Sequence, residues 1–226
     1  MSNKDKIFVS DLFSEIPTLL RPFFENVTYP WEIVPEIKSI IARLIKTGLL
    51  GYTEIRDGVF VGKNVKISPS AEIIPPTIIG DNTEIRHGAF LRGNVIIGCE
   101  CVIGNSTEIK NSILFDRVAA PHYNYIGDSI LGYGAHMGAG AIASNLKSDK
   151  SLITVKGKAR YETGLKKLGA ILGDRAEIGC GCVMNPGTVV GRYTSIYPLT
   201  SVRGIIPPDR IVKNTREIME KQPQSR

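Results

Sequence analysis

The sequence has little cysteine and little aromatic surface. Four cysteines in 226 residues do not make a disulfide scaffold, so a reducing cytosol is the expected compartment. There is one tryptophan, and aromatic residues make up 7% of the chain. Histidine is scarcer still, with three in all. No charged-then-apolar leader follows Met1, so no secretory signal is expected. Long apolar runs are missing too. The longest uncharged stretch, Ser129 to Leu146, is full of Gly, Ala, His and Asn and reads as turns rather than a membrane span. At 42% hydrophobic and 22% charged, the chain is neither disordered nor fibrous. It is long enough to bury a core without staples.

Charge is present but uneven. The net value is +6, and residues 147–167 carry a local +5 from Lys147, Lys150, Lys156, Lys158, Arg160, Lys166 and Lys167 against Asp149 and Glu162. This segment reads either as a solvated loop or as a site for a phosphorylated ligand. Nucleic acid is not expected, because Tyr161 is the lone aromatic there and no nucleic-acid-binding motif is apparent.

The dominant feature is a six-residue clock. Val61, Ile67, Ile73, Ile79, Ile85, Leu91, Ile97, Ile103 and Ile109 are all aliphatic. Two residues before each stands a small or β-branched one, from Val59 to Thr107. The register returns at Leu172, Ile178, Met184, Val190, Ile196 and Val202. Side chains two apart on a strand share a face, so both point inward. The remaining residues turn a corner, where several glycines relax the backbone. Three sides close a triangular coil of about eighteen residues, and coils stack as parallel strands. The clock slips twice. Ile109 to Leu131 spans 22 residues and contains Pro121-His122-Tyr123-Asn124-Tyr125; Met137 to Leu172 spans 35 and contains the basic segment. Interruptions of a regular scaffold are where function is expected.

The ends differ from the middle. Trp31, Ile33, Val34, Ile37, Ile40, Ile41, Leu44 and Ile45 recur at helical spacing after Pro30. Ser10 is placed to cap an earlier helix through Leu12, Phe13 and Ile16. These helices are expected to cover the open first coil. Asn214 with Glu217 suggests a capping box for a short C-terminal helix. The expected organisation is a helical cap over 1–57, a coil over 58–205 with an excursion over 146–169, and a tail over 206–226.

Several segments carry a family resemblance. They are Ile85 to Gly93, Gly104 to Lys110, Pro121 to Asp128, Gly138-Ala139-Gly140 with Asn145, Val155 to Lys158, and Lys166 to Ala170. Residues from about 79 to 205 resemble the left-handed β-helix acyltransferases. Within these they resemble the acetyltransferase domain of the bifunctional N-acetylglucosamine-1-phosphate uridyltransferase, and closer still the archaeal sugar-1-phosphate nucleotidyltransferases with an acetyltransferase tail. To the all-β parallel β-helix of hexapeptide repeats read from the period, the resemblance adds a left-handed coil, a homotrimer and acetyl-CoA as co-substrate; a cytoplasmic location and no membrane partner are expected from the composition. The resemblance implies that an amino-sugar phosphate is acetylated on nitrogen with His122 as general base. It implies Arg92 and Lys110 for the phosphate, Tyr125 and Asn145 for the sugar, and Lys150 just beyond. Cys180 lies on the side implied for coenzyme A, and Lys166 and Lys167 are the bases offered to its phosphates or to the sugar's. His136 and Leu146 depart from the bacterial pattern of asparagine and tyrosine. With about sixty residues before the coil and no Gly-rich nucleotide loop, nucleotidyl transfer is not expected.

Two other classes fit the coil. One is a non-catalytic module that binds sugar phosphate or a partner. The other is a metal hydratase like the gamma-class carbonic anhydrases, which needs three histidines on one ion. His87 and His122 are 35 residues apart, nearly two coils, or roughly 10 Å at a strand spacing of about 4.8 Å. Inward Cys101 and Cys182 do not join Cys99 and Cys180 around one tetrahedral ion without opening the core. No metal is expected.

Overall fold

A computed structural model describes residues 5–214 and 217–221. Its middle is a parallel β-helix built from three sheets of nine, seven and nine strands. We number the faces in the order the chain visits them. Face I begins at Val59–Val61, face II at Lys66–Ile67 and face III at Glu72–Ile74. Regular coils stack eighteen residues apart, as in Val61 on Ile79 on Ile97. The inward aliphatic and small residues form one continuous buried stack from Val59 to Val212. Buried threonines satisfy themselves on nearby carbonyls: Thr83 Oγ1 donates to Gly98 O at 2.8 Å, and Thr107 Oγ1 to Ala120 O at 3.0 Å.

The first slip in the clock is not a departure from the coil. Two successive coils are one residue short, so that Ile97, Leu114 and Leu131 stack at a spacing of 17. The missing residue comes from the corner between faces III and I. Asn111 and Asp128 turn those corners with φ of 46° and 50°, a left-handed conformation that Asn and Asp tolerate. The strands Ala119–His122 and Tyr125–Gly127 therefore lie in register within faces II and III.

The second slip is a true excursion. The chain leaves the coil after Asn145 and returns at Leu168, whose N–H donates to Asn145 O at 3.0 Å. Between them, Thr154–Lys156 and Arg160–Glu162 pair as an antiparallel hairpin. The hairpin is docked. The Asp5 carboxylate accepts the N–H groups of Lys158 and Ala159 at 3.2 Å each and the Tyr161 hydroxyl at 3.0 Å. The Tyr161 ring lies 5.7 Å from Tyr29 and 6.4 Å from Trp31.

The N-terminal segment holds short helices at Val9–Leu12 and Arg21–Phe24, a 3₁₀ run over Pro30–Glu36 and a longer helix over Ile37–Thr47. It does not cap the open edge of the first coil, as the sequence suggested. It lies along face I, where the outward residues Ile78, Ile96, Ile113, Ile130, Ile171 and Val189 are apolar and buried beneath it. The edge of the first coil is covered instead by Thr53–Arg56, antiparallel to Val59–Val61. Ser10 is not a cap: Phe8 holds the N-cap position, and the helix ends at Leu12. The chain turns away there because the buried Asp174 carboxylate takes both the N–H and the hydroxyl of Ser14, at 2.6 and 2.8 Å.

The C-terminal helix is also corrected. Arg210–Asn214 extends face II, with Val212 inward, and Glu217–Glu220 folds back on it antiparallel. Asn214 Oδ1 does accept the Glu217 N–H at 3.0 Å, but it closes a hairpin turn rather than starting a helix. Arg216, between Asn214 and Glu217, falls outside the described residues.

Candidate active site

Face III and its two corners carry most of the candidate residues. Its strands present two outward columns. One runs Glu72, Phe90, Glu108, Tyr125, Ile142; in the other Arg92 and Lys110 precede Gly127. Arg92 Nη1 binds Glu108 Oε1 at 2.6 Å, and this carboxylate holds the guanidinium above its ordinary pKa. Tyr125 is half-buried, and its phenol is pushed up, first by burial and then by the nearby Glu108 and Asp128 carboxylates. The Tyr125 ring reaches across the face to the far corner. A Cβ on Gly127 would stand 2.6 Å from both Tyr125 Oη and Asn145 Nδ2, so glycine leaves the room in which these two groups meet.

Arg92, Lys110, Tyr125 and Asn145 are thus gathered on one face. His122 stands at the opposite edge of that face, on the corner between faces II and III. It is exposed at the end of the strand Ala119–His122, and its imidazole makes no hydrogen bond among the described residues. Its backbone is fixed. His122 N–H donates to Asn124 Oδ1 at 3.3 Å, and its carbonyl accepts from Gly140 N at 3.0 Å. A free imidazole on a fixed backbone can take a proton from a bound ligand.

Cys180 is exposed on the same corner as His122. Ala139 lies between them, by way of the Gly140 and Gly181 N–H bonds to the His122 and Ala139 carbonyls. Two strand spacings put Cys180 roughly 10 Å along the axis. Inward Cys101 is buried, and its thiol is pushed up to about 12. Lys166 and Lys167 are exposed where the excursion rejoins the corner between faces III and I, and Lys150 sits on a turn of the excursion with φ of 55°. One chain therefore keeps Cys180 and the Lys166–Lys167 pair on opposite edges of face III. His136 lies on face II, its Nδ1 3.1 Å from Glu177 Oε2. Leu146 is exposed beside Asn145. His87 stands on the His122 corner with Asn105 between them. Among the described residues no three His, Cys, Asp or Glu side chains converge as metal ligands do. No helix there is long and apolar enough to cross a membrane.

Sequence reasoning missed three polar groups that hold this arrangement. Glu108 pairs with Arg92. Asn124 is 2% exposed and occupies an inward position that is otherwise small, donating to Gly138 O at 2.7 Å. Asp128 is 5% exposed and accepts from Asn111 and Asn145. Asn124 was legible as a polar residue on an inward beat. Asp128 was legible through its spacing of 17 from Asn111 and Asn145.

Residues 73–189, just over half of the chain, match the model of the GMPPB C-terminal domain. The chain belongs to this family. Among curated relatives, the bifunctional sugar-1-phosphate nucleotidylyltransferase/acetyltransferase of Sulfurisphaera tokodaii is 31% identical over 184 residues, covering 78% of this chain and 45% of that protein. The bifunctional protein GlmU of Methanococcus maripaludis is 30% identical over 180 residues, covering 78% and 44%. The chain thus spans under half the length of these relatives. Among solved structures, UDP-N-acetylglucosamine acyltransferase from Campylobacter jejuni superposes with a TM-score of 0.50 at 17% identity, covering 73% of this chain and 71% of that one. That likeness supports the β-helix fold.

Proposed function

We propose that this GMPPB C-terminal-type domain is an acetyl-CoA-dependent N-acetyltransferase acting on an amino-sugar phosphate. The observation that carries the reading is the gathering of Arg92, Lys110, Tyr125 and Asn145 on the face that His122 borders. Arg92 and Lys110 supply fixed cations for a phosphate. Tyr125 and Asn145 supply hydrogen bonds for a sugar. His122 takes the proton that the substrate amine must lose. The amine nitrogen then attacks the thioester carbonyl, the carbon–sulfur bond breaks, and the departing thiolate of coenzyme A receives the proton. The proposal covers acyl transfer alone.

Cys180 lines the corner along which the acyl carrier reaches His122 in this reading. Lys166 and Lys167, with Lys150 farther out, attract phosphates at the other edge. A cyclic homotrimer in the cytoplasm accommodates this separation, since a neighbouring copy brings one edge of its own coil against the other edge of this one. The name of the Sulfurisphaera tokodaii relative, which pairs sugar-1-phosphate chemistry with acetyl transfer, supports the substrate class. The test is release of free coenzyme A thiol when the protein meets acetyl-CoA and a panel of amino-sugar phosphates. Thiol release with one of them, matched by N-acetylated product, is expected. Binding of a sugar phosphate without thiol release favours the non-catalytic module.

A further inference from the structure

The two shortened coils leave a column of three residues at the corner between faces III and I. Asn111, Asp128 and Asn145 follow at a spacing of 17. The central carboxylate binds both amides. Asp128 Oδ1 accepts from Asn111 Nδ2 at 2.8 Å, and Asp128 Oδ2 from Asn145 Nδ2 at 2.5 Å. Asn111 Nδ2 also reaches Val34 O at 3.4 Å, which ties the column to the N-terminal segment.

An ionised carboxylate only accepts hydrogen bonds, so both amides must turn their nitrogens toward it. That chemistry decides which way Asn145 points. The Tyr125 phenol oxygen stands beside this corner: Tyr125 Oη and Asn145 Nδ2 each lie 2.6 Å from the point that a Cβ on Gly127 would occupy. Among the described residues neither the Asn145 carbonyl oxygen, an acceptor, nor the Tyr125 hydroxyl hydrogen, which can donate, has a hydrogen-bond partner.

We propose that Asp128 is a positioning residue that locks Asn145 with its carbonyl oxygen outward, so that Asn145 and Tyr125 present an adjacent acceptor and donor to one ligand hydroxyl or neutral amine. Such a group both donates and accepts, and it matches the pair. A phosphate or carboxylate oxygen only accepts, so it leaves the outward Asn145 carbonyl unpaired. This inference rests on the reading above for where the ligand lies. It assigns the phosphate away from this corner, toward Arg92 and Lys110.

The experiment has two arms. The first needs no ligand. Asn145→Asp sets two carboxylates against each other and lowers the melting temperature by roughly 5 °C or more. The exchange Asp128→Asn with Asn145→Asp restores a donor facing an acceptor and recovers most of that loss. Asn145→Asp melting as the wild type does overturns the lock. The second arm uses glucosamine 1-phosphate as probe, read by calorimetry. In Asp128→Asn the Asn145 amide turns over, and affinity falls about tenfold. Asn111→Ala removes the other partner of Asp128 and leaves affinity unchanged while lowering the melting temperature. Unchanged affinity in Asp128→Asn overturns the positioning role. Wild-type protein that ignores the probe, with the melting pattern intact, refutes the amino-sugar reading and upholds the lock.

Discussion

At the scale of single residues, the proposed reading separates the work of charge from the work of proton transfer. Arg92 is exposed, and its guanidinium is held by Glu108 at 2.6 Å, so a phosphate bound as proposed would meet a cation whose direction is already set. Arg92→Ala is expected to raise the KM for the sugar phosphate about tenfold with kcat nearly unchanged, because it loses ground-state and transition-state binding alike. Steady-state kinetics with the best substrate of the panel checks this; a fall in kcat at constant KM contradicts it. The residues whose chemistry stands in their own side chain, His122, Arg92, Lys110, Tyr125 and Asn145, were legible in the sequence through family resemblance. Asn124 and Asp128 were not singled out, because their role is to hold a neighbour across a coil. That role appears only once residues 17 apart are known to stack.

At the scale of elements, the excursion and the N-terminal segment are one unit. The six-residue clock located the coil because inward side chains repeat strictly along the axis. It said less about the outward positions. Yet Phe60, Ile78 and Ile96 recur every eighteen residues between the inward pairs of face I, and this apolar column is what the N-terminal helices cover. The sequence placed those helices at the coil's end, since helical periodicity records that a face is buried and not what buries it. The basic hairpin is likewise docked, by Asp5 and by packing of Tyr161 near Tyr29 and Trp31. Asp5→Ala is expected to speed tryptic cleavage after Lys156, Lys158 or Arg160 roughly tenfold, because the turn loses three hydrogen bonds to a carboxylate. Unchanged cleavage in a timed digest would show that apolar packing alone holds the hairpin. With Lys166 and Lys167 both changed to Glu, the apparent KM for one anionic ligand is expected to rise, and more steeply at low salt. Unchanged binding of both ligands returns the segment to a solvated surface.

At the scale of the whole molecule, face I is covered by the chain's own N-terminal segment, while faces II and III have no such cover among the described residues. Ile142 and Tyr123 remain exposed on and beside face III. A cyclic trimer that brings neighbouring coils together there would unite Cys180 and the Lys166–Lys167 pair, which one chain holds apart. Sedimentation equilibrium is expected to give roughly 74 kDa, three copies of the 24.7 kDa chain. A mass near that of one chain at micromolar concentration contradicts the shared site. In the proposed reaction His122 performs proton transfer in acyl transfer from coenzyme A. The most direct test of this role is kcat of His122→Ala against the wild type, with oligomeric state and coenzyme A affinity measured on the same samples. A loss of about 10²–10⁴-fold in kcat with assembly and cofactor binding intact is expected; wild-type kcat in that variant would remove His122 from the chemistry.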